Sequence, residues 1–226
     1  MKHIFVDFEM HPISKEYVEE RAICQREIIE FGAVMLDEQY KEISSFKEYV
    51  KPQYAKDICT NIAILTGITN STLAGAKGFA DVFEKFLSWC EEMGTDYTIY
   101  AWSGNDLEQM IKEIKLKHIE QEEKVTRLLE NWVDFQKDYC ELVKSEGPIS
   151  LEKALNSVGQ YFVGDMHDAL YDAKNTAELF TMTRDTEEFF KVLESINEAI
   201  DNTDKDKFTF TLGDIFNFDT CQFVLL

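Results

Sequence analysis

Two carboxylates stand at the end of an apolar run near the start of the chain, HIFVDFEM (3–10). Alternate side chains of a β-strand point to the same face, so a strand here would place Asp7 and Glu9 together, opposite Phe8. Two adjacent like charges repel each other, and a divalent cation between them would relieve the repulsion. Since the chain has 43 acidic residues among 226, a solvated strand end remains the simpler interpretation of the pair taken alone.

Three further residues could complete such a site. Asp106 begins an amphipathic stretch after the strand-like run YTIYAW (97–102), although a carboxylate at that position also serves to cap a helix. His167 and Asp172 are five residues apart, and on one helix they would point about 140° away from each other. This spacing predicts that His167 precedes the helix and Asp172 lies one turn inside it, both facing one site. The alternative is a surface histidine and a solvated aspartate.

The pattern of apolar residues predicts an α/β fold with a mixed central sheet flanked by helices. Three consecutive strand-like runs predict an antiparallel meander, and two later runs add strands to the same sheet. The expected strands are 3–9, 27–38, 41–52, 97–102 and a run near 131–135. The expected helices are 57–69, 78–93, 107–119, 147–159, one beginning near Asp168, and 186–200.

Composition narrows the classes of function. No run approaches the roughly 18 apolar residues of a membrane span, and too few apolar residues precede Asp7 for a signal peptide, so we expect a cytoplasmic protein that does not contact membranes. The five cysteines are widely spaced and indicate neither disulfides nor a zinc site. The net charge of −20 argues against general electrostatic attraction to nucleic acid. Any such contact must therefore be local.

In order and context, these motifs resemble those of the DEDDh exonucleases of the ribonuclease-H-like superfamily. The matching segments are VDFEM (6–10), AWSGNDLEQM (101–110) and HDALYDAKNTA (167–177), and the resemblance spans residues 3 to about 183. The intervening IIEFGAV, FKEYVKP and ILTGIT look most like the Eri and KapD-type branch. The related DEDDy class fits less well, because it places a tyrosine where this chain has Asp168.

The resemblance implies a ribonuclease-H-like fold and a two-metal site. Asp7, Glu9, Asp106 and Asp172 would hold two Mg²⁺ or Mn²⁺ ions, and His167 would take the proton of the attacking water. The expected reaction is 3′-to-5′ hydrolysis of terminal phosphodiesters, releasing nucleoside 5′-monophosphates.

The same resemblance assigns contacts to the substrate. Glu9, Met10, Leu65, Ile68 and His167 would bind the 3′ end of a single strand, with RNA or short oligonucleotides favoured over DNA. Packing at the end of a helix is an equally good interpretation of the residues at 65 and 68. Two other functions remain open, a non-enzymatic nucleic-acid binder and a carboxylate-metal phosphodiesterase or phosphatase acting on a small molecule.

The C-terminal part of the chain lies beyond the resemblance. We expect an exonuclease domain over residues 1–184 and a helical and aromatic extension over 185–226, which packs on the domain or on a partner subunit. The segment FTFTLGDIFNF (208–218) is too aromatic to remain exposed. It could cover the domain, add an edge strand or mediate an oligomer, and the sequence leaves these three alternatives open.

Overall fold

The computed structural model describes the backbone of residues 1–203 and the side chains of residues 1–196. Five strands in this part of the chain form one sheet in the order β3-β2-β1-β4-β5. The strands are β1 (Lys2–Pro12), β2 (Arg26–Leu36), β3 (Glu42–Tyr49), β4 (Tyr97–Ala101) and β5 (Trp132–Asp134).

The sheet is mixed, as the sequence predicts. β1, β2 and β3 form the antiparallel meander, while β4 runs parallel to β1 and β5 runs parallel to β4. Parallel neighbours end at the same edge of a sheet, so the carboxyl ends of β1 and β4 lie together; the register pairs Val6 with Ala101. The two polar motifs that follow those positions are therefore brought to one edge.

Ten helices accompany the sheet over the described residues. They are α1 (Val18–Ile23), α2 (Thr60–Thr66), α3 (Asn70–Leu73), α4 (Phe79–Glu91), α5 (Asn105–Leu116), α6 (Glu123–Glu130), α7 (Phe135–Leu142), α8 (Leu151–Ser157), α9 (Ala169–Met182) and α10 (Thr186–Thr203). The apolar pattern did not predict α1, α3, α6 or α7. The helix expected over 57–69 is shorter and ends before Gly67, which has a φ of 71°.

Two apolar cores lie on opposite faces of the sheet. One core joins β1 and β2 to α4, α5 and α6, and Phe31 and Phe86 are fully buried in it. The other core joins the sheet to α7, α8 and α9 through residues such as Phe5 and Phe180. Helices on both sides of a sheet leave its edges and strand ends as the places where a site can open.

The first half of α10 packs on the second core. Phe189 is 2% exposed and lies edge-on to Tyr139, with ring centroids 6.1 Å apart, and Leu193 is also buried. The aromatic segment expected to cover the domain or to mediate an oligomer (208–218) lies outside the described residues. Among the helices that the structure describes, none combines the length and the apolar character needed to cross a membrane.

Candidate active site

Three carboxylates from two elements converge at the carboxyl end of β1. Asp7, Glu9 and Asp172 each offer an oxygen, and these atoms all lie within 4.8 Å of one another. The first two come from alternate positions of one strand, as the sequence predicts, and Asp172 comes from the first turn of α9. The histidine-to-aspartate motif therefore reaches the same point as the first acidic pair, although more than 150 residues separate them.

Asp106 lies in the first turn of α5 and is 6% exposed. The N-cap residue of that helix is Gly104, so Asp106 does not occupy the cap position. Among neighbouring charges, that of Asp106 contributes most to raising the pKa of Asp7, after the effect of burial. Asp106 is therefore close enough to the cluster to influence the ionisation of Asp7 electrostatically.

The pKa values of all four carboxylates are raised, and neighbouring carboxylates contribute to each rise. Burial is the largest cause in every case and charge repulsion adds to it: the pKa of Asp7 rises well above its usual range, and that of Glu9 rises to about 9. The pKa values of Asp106 and Asp172 rise to about 7. Carboxyl groups that lie close together where solvation is poor are costly to ionise unless a cation binds between them.

The donor set fits a hard divalent cation. Every candidate ligand is a carboxylate oxygen, which suits Mg²⁺ or Mn²⁺ and does not suit soft metals that prefer thiolates. The convergence of the oxygens and their mutual repulsion are both features that a bound cation would exploit.

His167 precedes α9, as the spacing of its motif predicts. Its φ of 64° is left-handed, and its backbone N–H donates to Oδ2 of Asp172 at 2.9 Å. The ring is half exposed, and its Nδ1 lies 3.8 Å from Oε1 of Glu9. The backbone is thus tied to one carboxylate of the cluster while the side chain faces another and remains open to solvent.

A set of charged residues that sequence reasoning missed attaches the start of α9 to the sheet. Oε2 of the buried Glu30 on β2 accepts the backbone N–H of Ala169 at 3.1 Å. Lys47 on β3 forms an ion pair with Glu30 at 3.1 Å and another with Asp168, the N-cap residue of α9. A glutamate inside the apolar run IIEFGAV was the signal that could have revealed this link, since a buried carboxylate requires partners.

Gly32 allows α9 to approach the sheet. A Cβ at this position would lie 2.0 Å from the backbone carbonyl carbon of Ala169 and 2.1 Å from the backbone nitrogen of Leu170. Gly32 pairs with Asp7 in the register of β1 and β2. The glycine therefore lets the first residues of α9 lie against β2 at the position that pairs with Asp7.

A bulge in β2 lies opposite Glu9 and Met10. Glu9 pairs with Glu30 and Met10 pairs with Ile28, so one extra residue of β2 is accommodated between the two pairs. The freed backbone N–H of Ile28 donates to Oε2 of Glu113 at 2.8 Å. Bulges bend a strand and redirect its neighbours' side chains, so this carboxylate on α5 helps to set the geometry of the strand end.

The predicted substrate contacts lie in different environments. Met10 is partly buried at the strand end, and Leu65 is 48% exposed on α2. Ile68 is 2% exposed and packs in a small core with Ile29 and Leu73, so its side chain faces away from solvent. The helix-packing interpretation fits Ile68, whereas Leu65 is available to an external group.

Comparison with known proteins finds a family match over most of the chain. A family model described as Exonuclease, RNase_T, matches residues 4–180. The chain is 31% identical to ERI1 exoribonuclease 2 of Danio rerio in an alignment of 196 positions, which covers 78% of this chain and 34% of that protein. It is 29% identical to 3'-5' exoribonuclease 1 of Rattus norvegicus, covering 68% of this chain and 45% of the relative. The chain thus spans less than half the length of these curated relatives.

Solved structures show the same architecture. The nuclease domain of 3'hExo, a DEDDh family member bound to rAMP, superposes with a TM-score of 0.69 at 23% identity, covering 83% of this chain and 94% of that one. Cell-death related nuclease 4 gives a TM-score of 0.68 at 21% identity, covering 82% of this chain and 64% of that one. At this level of identity the likeness establishes the fold, and the ribonuclease-H-like α/β fold predicted from the motifs is confirmed.

Proposed function

Because this chain belongs to the RNase_T exonuclease family, we propose that it hydrolyses nucleic-acid strands from the 3′ end and releases nucleoside 5′-monophosphates. The observation that carries the proposal is the convergence of Asp7, Glu9 and Asp172, with ligand atoms within 4.8 Å of one another. The nearby ring of His167 adds a group that can accept a proton. Such a cluster can bind a metal and a phosphate together. A solvated strand end or a helix cap would not require these carboxylates to converge.

Asp7, Glu9, Asp106 and Asp172 are the residues that would hold two divalent cations, Mg²⁺ or Mn²⁺. When bound, such cations supply an acidified water and stabilise the charge on the leaving 3′ oxygen. The chain itself contributes a rigid frame: two ligands lie on a central strand, and the other two lie in the first turns of helices.

His167 would act as the general base. A histidine side chain exchanges protons near neutral pH, and this ring combines exposure to solvent with a position beside Glu9. The ion pairs of Lys47 and the hydrogen bond from Ala169 to Glu30 keep the backbone before α9 in place. A positioned base of this kind contributes about 10²–10⁴-fold to a rate.

Single-stranded RNA is the substrate that we propose. Two of the similar proteins are named as exoribonucleases, and single-stranded ends are the form in which bases can be unstacked and held. Met10 and Leu65 could contact a terminal base through apolar surface without reading its identity. The buried side chain of Ile68 packs in the small core beneath α2 and contributes to holding that helix in place.

We also propose that the catalytic domain ends near residue 184 and that residues 185–226 form an extension. The burial of Phe189 and Leu193 against the second core supports packing of the extension on the domain. The cytoplasmic location and an oligomer formed through the tail stay predictions.

The activity can be tested with RNA and DNA oligonucleotides of one sequence, labelled at the 5′ or the 3′ end. With Mg²⁺ or Mn²⁺ the expected products are a ladder shortened from the 3′ end and free nucleoside 5′-monophosphates, and EDTA should stop the reaction. Internal cleavage or release from the 5′ end would contradict the proposal. Binding of RNA without hydrolysis would identify a non-enzymatic binder, and hydrolysis confined to small phosphate esters would identify a small-molecule hydrolase.

A further inference from the structure

A polar pocket lies between the end of β1 and α5, the two elements that carry Asp7, Glu9 and Asp106. It has a volume of about 370 Å³, and its lining includes Met10, Arg26, Asn105 and Lys112. Two of these residues adjoin candidate ligands in the chain, since Met10 follows Glu9 and Asn105 precedes Asp106. A strand with its terminal phosphodiester at the carboxylates would therefore have this pocket as its neighbour.

Arg26 is held in the pocket by its main chain. Its carbonyl oxygen accepts hydrogen bonds from Nε2 of Gln109 and from Sγ of Cys24, each at 2.9 Å, and both donors are buried. Arg26 is also the first residue of β2 and pairs with Pro12 of β1. The rise of a strand places Pro12 about 10 Å beyond Glu9. The backbone of Arg26 is thus fixed at a defined distance from the cluster while its side chain is exposed.

The charge of the Arg26 guanidinium is not neutralised locally. Its side chain makes no ion pair with any carboxylate over residues 1–196, whereas Lys112 pairs with Glu108, four residues earlier on α5. The whole chain carries a net charge of −20. Arg26 therefore has no ion pair over the described residues, and Glu108, the carboxylate in the pocket lining, is paired with Lys112. A cation in this position of so acidic a protein marks a place where an anion gains favourable contacts.

We propose that this pocket binds the internucleotide phosphate next to the scissile one, with Arg26 as its main contact and Lys112 as a second. This inference rests on the proposed function. The terminal nucleotide carries only the reacting phosphate, which must lie at the carboxylates, so a cation in the neighbouring pocket can meet only a phosphate further from the 3′ end, of which that of the preceding nucleotide is the nearest. A guanidinium can donate two parallel hydrogen bonds to that phosphate. The pocket would make strands with two or more linkages better substrates than a dinucleotide.

The test is a double-mutant cycle in which the protein and the substrate are changed separately and together. Arg26→Ala and the parent are compared on an RNA tetranucleotide and on the same tetranucleotide with an uncharged methylphosphonate at the linkage adjacent to the scissile one. Arg26→Ala should lower kcat/KM on the charged strand by about tenfold and reduce the salt dependence of kcat/KM by about one charge. The loss in kcat/KM caused by Arg26→Ala, which is the penalty of the substitution, should disappear when the methylphosphonate is present.

Matched controls distinguish this contact from a general effect of charge. Lys153→Ala removes an exposed cation from α8, which packs on the opposite face of the sheet, and should change neither kcat/KM nor its salt dependence. Arg26→Lys should keep part of the effect, because it retains the charge but not the paired donors. A methylphosphonate at the next linkage further from the 3′ end should leave the Arg26→Ala penalty in place.

Three results would overturn the proposal: an Arg26→Ala penalty that persists with the adjacent methylphosphonate, one that moves to another linkage, or no penalty on the charged strand. The last result would identify Arg26 as an ordinary solvated residue. Binding of the same strands, measured by fluorescence anisotropy with Ca²⁺, decides the matter independently of turnover. A parent that hydrolyses no RNA would overturn the proposed function, while the binding cycle would still decide the role of Arg26.

Discussion

The backbone N–H of His167 donates to Oδ2 of Asp172 at 2.9 Å, and the φ of His167 is 64°. The hydrogen bond involves the main chain, so it survives a change of the histidine side chain. The candidate base and the candidate ligand are therefore joined structurally but can be separated by mutation. Replacing the imidazole should remove the proton acceptor and leave the carboxylate where it is.

His167→Asn provides the sharpest separation of binding from chemistry. Asparagine tolerates a left-handed backbone better than most residues, but its amide cannot accept the proton at neutral pH. We expect a loss of about 10²–10⁴-fold in single-turnover hydrolysis of RNA, with little change in oligonucleotide binding or in metal-induced thermal stabilisation. His167→Ala should be equally inactive. A variant within a few-fold of the parent across pH would remove His167 from the mechanism.

The sequence was sufficient to predict the parts of the site that depend on local pattern. Alternation in β1 placed Asp7 beside Glu9, and the spacing from His167 to Asp172 placed the histidine before α9. Contacts between distant segments were not predictable in the same way. Lys47 and Asp168 are 121 residues apart in the chain, and nothing in either neighbourhood indicates that they meet.

Amide substitution of a candidate metal ligand should separate stability from activity. Asp7→Asn removes one charge from a cluster in which burial and repulsion raise the pKa values, so the metal-free protein should melt at a higher temperature than the parent. Hydrolysis and stabilisation by Mg²⁺ or Mn²⁺ should both be lost, and Asp106→Asn should behave similarly. Glu178→Gln, an exposed position of α9, is the control and should change neither property. Near-normal turnover of either aspartate variant would refute the metal-site assignment.

Lys47→Met should weaken the attachment of α9 to the sheet. The substitution leaves Glu30 with the N–H of Ala169 but without its cation, and frees Asp168 from its ion pair. We expect a loss of about 1–3 kcal/mol in unfolding free energy and lower turnover, because the backbone before α9 carries His167. Combining it with Glu30→Gln should restore part of the stability, since no buried charge then lacks a partner. Strictly additive losses in urea unfolding would contradict this coupling.

Gly32→Ala should disrupt the approach of α9 to β2. The added Cβ would lie 2.0 Å from the carbonyl carbon of Ala169, and backbone on both sides leaves no flexible side chain to move aside. We expect a destabilisation of about 1–3 kcal/mol or more, measured by thermal and urea unfolding, and a larger fractional loss of activity than of folded protein. Gly75→Ala is the matched control, since a Cβ there has nothing within 4 Å. Equal stability of the two variants would show that α9 can shift freely.

Glu113 connects α5 to the bulge of β2 and should give stability a distinctive dependence on pH. Its Oε2 accepts the N–H of Ile28 at 2.8 Å and Nε2 of Gln109 at 3.0 Å, and the residue is fully buried. Burial raises its pKa to about 8, the charge of Glu27 adds to the rise, and the hydrogen bonds from Ile28 and Gln109 and the charge of Lys117 oppose it. The folded state therefore holds this proton more tightly than the unfolded chain.

A carboxyl group with a raised pKa stabilises the fold fully below its unfolded pKa, and that contribution is lost as the pH rises through the folded value. Glu113→Gln keeps an oxygen for the two donors and has no proton to lose. The difference in unfolding free energy, variant minus parent, should thus increase between about pH 4.5 and 8, by up to about 1.4 kcal/mol per unit. Urea unfolding at half-unit steps measures it, and Glu178→Gln should give a flat difference over the same range. Parallel curves for Glu113→Gln and the parent would mean that the carboxyl is ionised in the folded protein throughout, and that the bulge opposite Glu9 is held by a charged group.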